Sequence, residues 1–398
     1  MIKLIQVFGL ASALALAGQA VAQTEADNRF ERFAPSTTDY GRSHVDYSTW
    51  TMMLSEIVLN VGYSDRRSPR RDVGATGTRV FTGNTSRFRF EANRVIYHLV
   101  EDFHLDAITQ YRQELEQVPE QLNFARLSPD EQLAYWLNLY TVATIEQVGL
   151  VYPQNDMERT RAANSELHYL DAPVVTVMGQ PLSLNDIQYN IVYRFWDDPR
   201  VIYGFFNGTI GAPRVMREAY DASRVWSQLE SNGREFVNSL RGVDNSPRSL
   251  IISRHYERAR DTFFPNWPED VRDHLSAFAG EDVMELIDSD IPVRPTSDEW
   301  GIADMTNGSN RCGGSISQTV STGRGGTGSG RDAMFCGGLP DNARILLDFV
   351  VERRIRQFRD GSLGNVYVRD LPDQNIVIDM SEDDDENTEE ETDGEISN

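Results

Sequence analysis

Lysine is nearly missing. Lys3 is the only one among 38 basic residues, so arginine carries all the other positive charge. Downstream of Lys3 this inventory excludes Schiff-base catalysis, a phosphate-loop lysine and a Ser-Lys dyad. A concentrated basic surface is also absent. The formal net charge is −23, and the stretch from Asp379 to Asn398 holds 11 acidic residues and no basic ones, which leaves −23 + 11 = −12 for the rest. Phosphate-backbone binding needs clustered cations, so no nucleic-acid partner is expected. After the N-terminus no run approaches 18 uninterrupted apolar residues, so no transmembrane segment is expected there. No G-x-S-x-G, H-E-x-x-H, dinucleotide-binding glycine pattern or EF-hand loop occurs. The glycine-rich stretch 323–330 lacks the strand-and-helix frame of a phosphate cradle. No cofactor and no metal site is expected.

Cysteine is scarce too. The two present, Cys312 and Cys336, flank a 23-residue segment containing seven glycines. In an oxidising compartment a disulfide between them is the expected staple, with a free thiol pair or a shared metal as alternatives. Closing a loop of that length stabilises a fold by about 3–4 kcal/mol on the chain-entropy account.

What is present begins with a tripartite leader. Lys3 supplies the positive end, residues 4–16 the apolar core, and Ala20-Val21-Ala22 the small-x-small cleavage site. Residues 1–22 therefore read as a secretory signal cleaved after Ala22, and the location expected is periplasmic or secreted. Residues 23–40 are polar, and the acidic segment 377–398 is too charged and too poor in apolar residues to fold. The basic knot 65–72 (DRRSPRRD) reads first as solvated pairing with carboxylates and second as a docking patch for an anionic envelope polymer or partner.

Between those ends the spacing predicts helices over 44–63, about 89–118, 129–149, the segment after Ser183, about 221–240, 254–263, 267–288 and 341–358. The clearest is announced by Ser128-Pro129-Asp130-Glu131, which combines a cap serine, a proline at the first helical position and an acid at the reciprocal position. Leu133, Trp136, Leu137, Tyr140, Thr144 and Val148 then recur at helical spacing. Residues 174–184 predict a β-hairpin turning at Gly179-Gln180. Ser183 predicts a cap with Asp186 as its partner, residues 201–213 read as a strand or buried segment, and Leu250–Ile252 as a short strand. The fold class expected is α+β and helix-rich, a single main domain with a β-hairpin and a disulfide-stapled C-terminal extension.

Four stretches carry a family resemblance: LSPDEQLAYWLNLYTVATIEQVGLVYP (127–153), VVTVMGQPLSLNDIQYNIVYRFWDDPRV (174–201), NGTIGAPRVMREAYDASRVWSQL (207–229) and FVNSLRGV (236–243). In content, order and spacing the chain resembles the DUF547 domain, a family of bacterial envelope and plant proteins with no settled function. The resemblance implies a DUF547-like domain over 41–288, followed by a glycine-rich loop and C-terminal helix extension over 289–376. Family members often carry a Glu-His pair where this chain has Gln188 and Tyr189, a His at the position of Ile202, and a Cys-x-x-x-x-Cys-Pro turn whose cysteine positions here are Asn207 and Ala212. A thiolate nucleophile needs a cysteine, and zinc needs Cys, His or carboxylate ligands. At all five positions the resemblance implies loss of either function.

Two readings follow. One is a non-catalytic module of the cell envelope that binds a protein, peptide or polymer in a cleft lined by Trp136, Asn138, Tyr140, Arg200, Asn207 and Thr209. The other is a hydrolase or transferase of papain-like ancestry using Ser, Asp, Glu or His residues that the comparison does not flag. Asn138 is either a buried hydrogen-bonding residue or a cleft residue. The trio His98, Glu101 and Asp102, with His104 close behind, lies at the spacing of one helix face, and His255 is a possible base with no partner visible in sequence. A histidine bonded to a carboxylate and a hydroxyl beside the 207–213 turn would favour the enzyme.

Overall fold

Helix α3 (Pro129–Val151) is the axis on which the rest is built. The computed structural model describes residues 29–36, 40, 41, 43–69, 84–308 and 341–359. The leader, Cys312 and Cys336 with the disulfide expected between them, and the acidic tail lie outside the described residues. Ser128 accepts the Glu131 N–H at 3.2 Å, Pro129 opens the helix, and every residue from Glu131 to Gly149 is buried. Such a helix has no solvent face. Its polar side chains are accordingly occupied. Gln132 donates to the Phe124 and Leu127 carbonyls, Glu146 pairs with Arg112 at 2.5 Å, and Glu131 meets His44 Nδ1 at 2.6 Å.

Around it, in chain order, lie α1 (Ser48–Ile57), β1 (Val58–Leu59), β2 (Arg94–Val95) and α2 (Asp102–Gln121), the last packed along α3. The hairpin β3 (Pro173–Val177) and β4 (Gln180–Ser183) turns at Met178-Gly179. Both residues have positive φ (51° and 73°), as a two-residue primed turn requires, so the turn sits one residue earlier than the sequence suggested. Ser183 Oγ then accepts the Asp186 N–H while Asp186 accepts the Ser183 N–H, each at 3.0 Å, and this reciprocal cap starts a π-helical segment, Asp186–Val192. It runs into the short α4 (Tyr193–Phe195).

Three further expectations are corrected. Residues 89–118 are not one helix: β2 and a 3-10 turn (Tyr97–Leu99) precede α2, and Glu101 caps α2 while His104 Nδ1 accepts the Glu101 N–H at 3.1 Å. His98, Glu101 and Asp102 thus do not share a helix face. Of the two readings of residues 201–213 the strand is overturned and the buried segment holds: Asp198 caps a 3-10 helix (Pro199–Gly204) that leads into a largely buried turn. The loop expected after residue 290 begins with β7 (Val293–Ser297), which pairs in parallel with β6 (Ser249–Ser253), itself antiparallel to β5 (Val243–Ser246). Helices α5 (Val225–Val237), α6 (Arg254–Arg258), α7 (Arg260–Phe263), α8 (Glu269–Ser276) and α9 (Glu281–Ile287) complete the main core.

Two compact units divide the chain, residues 1–354 and 355–398. Of the second, only residues 355–359, the end of α10 (Asp341–Arg359), are described. Within the first unit, Ala343, Leu346 and Val350 of α10 join Val61, Phe90 and Met305 in a second, smaller apolar cluster. Phe349 stacks on Phe90 with centroids 4.0 Å apart, and the buried Arg353 lies over Phe349. Among the described residues no helix is long and apolar enough to cross a membrane.

Candidate binding site

Residues 207–213 form a turn held by its own first side chain. Asn207 Oδ1 accepts the Thr209 N–H at 3.1 Å and the Thr209 hydroxyl at 2.7 Å, an Asx-type arrangement. Gly208 takes φ +87°, and a Cβ there would stand 2.9 Å from Val148 Cγ2, so the turn lies directly on α3. Its outer side pairs with a returning segment. Ile210 N–H donates to Gly301, Gly211 N–H to Glu299, and Ala303 N–H to Gly208. Its far end is tethered by the buried Arg241, whose Nε donates to the Ala212 carbonyl at 3.2 Å.

Aromatic side chains converge on this turn. Tyr169 donates its hydroxyl to the Asn207 carbonyl at 2.6 Å. Tyr140, from α3, meets Phe205 edge-on at 4.9 Å, and Tyr193 meets the same ring at 5.6 Å. Tyr193 in turn accepts from Gln188 Nε2 at 2.9 Å and contacts the Tyr189 ring at 5.3 Å. The returning segment brings Trp300, half-buried, with the Arg258 guanidinium 5.4 Å from its ring centroid and His168 against its edge. Arg258 Nη2 is held by both Asp298 oxygens at 3.0 and 2.8 Å, and its side chain remains 35% exposed. Burial pushes the Tyr140, Tyr169, Tyr189 and Tyr193 phenols up in pKa, and the nearby Arg258 charge draws each partly back. All four therefore remain protonated hydrogen-bond donors at neutral pH.

Around this turn lie Tyr140, Asn207 and Thr209 of the cleft expected in sequence, together with Gln188 and Tyr189; Tyr140, Thr209 and Gln188 are buried, Asn207 and Tyr189 partly so. The other three residues stand elsewhere. Trp136 packs edge-on against Phe33, Phe124 and Tyr135 in the core. Asn138 is 1% exposed and clamps one residue, accepting the Tyr220 N–H at 2.9 Å and donating to its carbonyl at 2.8 Å, so the buried hydrogen-bonding reading holds. Arg200 forks onto Asp198 and lies over Trp226. Sequence reasoning missed Tyr169, Tyr193, His168, Arg258 and Trp300, because nothing local signals that segments so far apart in the chain meet.

The family model described as a protein of unknown function, DUF547, matches residues 124–237. The chain is a DUF547 domain-containing protein. No curated protein and no solved structure matches it. The DUF547 match takes in α3, the hairpin, the π-helical segment, the turn and α5. Arg258 and Trp300 lie beyond its C-terminal limit.

Of the histidines weighed in sequence, His255 is engaged by a backbone carbonyl and His98 has no partner among the described residues. His255 donates from Nε2 to the Ile202 carbonyl at 2.8 Å, and burial lowers its pKa to about 4. His98, also lowered by burial, has both ring nitrogens buried with no partner among the described residues. The His44–Glu131 contact sits at the start of α3, whereas Gly208 packs on Thr144 and Val148. At 1.5 Å per residue these sites lie about 20–25 Å apart along the helix.

Proposed function

We propose that this DUF547 domain-containing protein is an exported, non-catalytic binding module of the cell envelope, taking a protein, peptide or polymer at the surface beside Asn207. Export rests on the tripartite leader of residues 1–22. The binding reading rests on one observation above the others. Asn207 and Ala212, at positions where the family often carries cysteines, hold neutral groups committed to the turn, and the buried His255 is spent on a backbone carbonyl. An activated nucleophile needs a base within hydrogen-bond reach, and among the described residues none is paired with a hydroxyl at this turn. Aromatic walls with few polar groups are instead what ligand recesses use.

The purified full-length chain is to be incubated with an envelope extract and, separately, with ester and peptide substrates. Saturable retention that is lost in Tyr189→Ala, with no turnover, is the expected result. Turnover abolished by Asn207→Ala would overturn the reading in favour of a hydrolase or transferase.

A further inference from the structure

We propose that residues 29–34 are a peptide ligand carried in cis, and that the groove beneath them is a docking site for peptides of the same pattern. That pattern is two aromatic residues three apart, an arginine before each and an acid between them. A second copy of this chain carries such a peptide. The assignment is independent of the surface beside Asn207.

The segment is held as a ligand is held. Its two backbone hydrogen bonds, Phe33 N–H to the Phe30 carbonyl at 2.9 Å and Ala34 N–H to the Glu31 carbonyl at 3.1 Å, close its own 3-10 turn (Glu31–Phe33). None of its backbone groups bonds to another part of the described chain. Every bond across the boundary is made by a side chain of the segment or of the groove. Arg29 Nη2 donates to Asp186 Oδ1 at 3.0 Å, Arg32 Nη1 donates to the Met178 carbonyl at 3.3 Å, and Arg194 Nη2 pairs with Glu31 Oε1. A 3-10 turn brings residues three apart onto one side, here Phe30 and Phe33, which are 3% and 0% exposed. Phe33 meets Trp136 edge-on with centroids 5.2 Å apart. Anchors at i and i+3 with charged neighbours outside are how helical peptides sit in grooves.

The groove has supports of its own. Asp186 also accepts from Asn190 and caps Ser183, Met178 belongs to the hairpin turn, and Trp136 packs on Phe124 and Tyr135. Trp136, Met178, Asp186 and Arg194 all fall within the DUF547 match of residues 124–237, whereas residues 29–34 lie well before it. The domain thus supplies the groove, and a segment from outside the match fills it. Joined to its groove, such a segment acts at about millimolar effective concentration, so a free peptide meets a site already occupied. Weakening the resident turn should open the site.

The test uses a fluorescein-labelled peptide of residues 27–36 and the full-length chain, read by fluorescence anisotropy. The wild-type chain is expected to bind it weakly, and the Phe33→Ala chain, whose own turn has lost an anchor, about tenfold more tightly or better. A peptide carrying Phe33→Ala should bind neither chain. Adding Arg194→Glu to the Phe33→Ala chain should weaken the peptide about fivefold or more, and a Glu31→Arg peptide should recover that loss. Because Phe33 is wholly buried, a Glu31→Arg chain serves as a second opened form that keeps both aromatic anchors, and it too should bind more tightly than wild type. Equal binding by all three chains, no binding to either opened form at about 1 mM peptide, or indifference to the Arg194–Glu31 charges would each overturn the proposal. A Phe33→Ala chain that fails to fold, with no gain in the Glu31→Arg chain, would likewise overturn it by showing the segment to be core.

Discussion

Replacing Arg241 with methionine should cost more stability than any other single change near the turn. Its guanidinium is 0% exposed and forks onto Glu235, also 0% exposed, at 3.0 and 2.5 Å; a third bond reaches the Ala212 carbonyl, and Glu91 stands 3.8 Å away. Removing one member of a buried pair strands the other, which costs about 3–5 kcal/mol. At about 2–4 °C per kcal/mol for a unit of this size, the thermal midpoint falls by on the order of 10 °C. Changing both residues, in Arg241→Met with Glu235→Met, removes the stranded charge and should restore all but about 1–2 kcal/mol. Burial raises the Glu91 pKa, with Arg241 pulling the other way, so in the double variant Glu91 takes up a proton more readily. Urea unfolding of the four proteins in this cycle measures the coupling. A single variant losing under about 1 kcal/mol, or a double variant no more stable than Arg241→Met, would refute the argument that the pair is held by mutual need.

Acid should weaken the fold through its buried imidazoles. Burial lowers His255 and His274 to about 4, against about 6.5 unfolded, so the unfolded chain binds more protons in between. Stability is thus full above pH ~6.5 and erodes as pH falls toward ~4, by up to about 3 kcal/mol per group, and His255→Gln should flatten the urea midpoint against pH. An unchanged slope would contradict this. Asn138→Ala should cost about 2–4 kcal/mol in urea unfolding, since it strands both backbone groups of Tyr220; a change under about 0.5 kcal/mol would return Asn138 to the role of a cleft residue. Gly211→Ala places a Cβ 2.5 Å from the Glu299 carbonyl oxygen, so it should cost about 1–3 kcal/mol and speed amide exchange over residues 299–303. Leu346→Ala removes a member of the smaller apolar cluster. Its effect should be local: faster exchange over residues 341–354 with α3 unaffected, whereas loss of protection in both together would show one cooperative unit.

How much was legible in sequence follows from how local each stabilising contact is. Ser128-Pro129, the Ser183–Asp186 reciprocal cap and the hairpin were readable because their bonds close within a few residues. The β6–β7 pairing was not, because parallel partners some 40 residues apart leave no mark on either strand. The 201–213 run shows the limit of apolar content, which records burial but not whether a 3-10 helix or a strand does the burying. The expected cleft contained an error that helix geometry alone exposes. Trp136 and Asn138 are two residues apart on α3, hence about 200° apart around its axis, and cannot face one cleft. Tyr140 reached the site because Phe205 leads into the turn beneath it.

The turn also shows which of its groups the fold depends on. Its shape is fixed by groups that carry no chemistry of their own: the Asn207 amide on Thr209, the backbone pairing with residues 299–303 and the Arg241 tether at Ala212. A cysteine at position 212 would leave these bonds in place, since Ala212 contributes only its carbonyl, whereas one at position 207 would lose the two that the Asn207 amide oxygen accepts. The unmet Tyr140 hydroxyl is the opposite case. A buried donor without an acceptor costs about 1–3 kcal/mol against a net stability of about 5–15, and phenylalanine would fill the same volume without that cost.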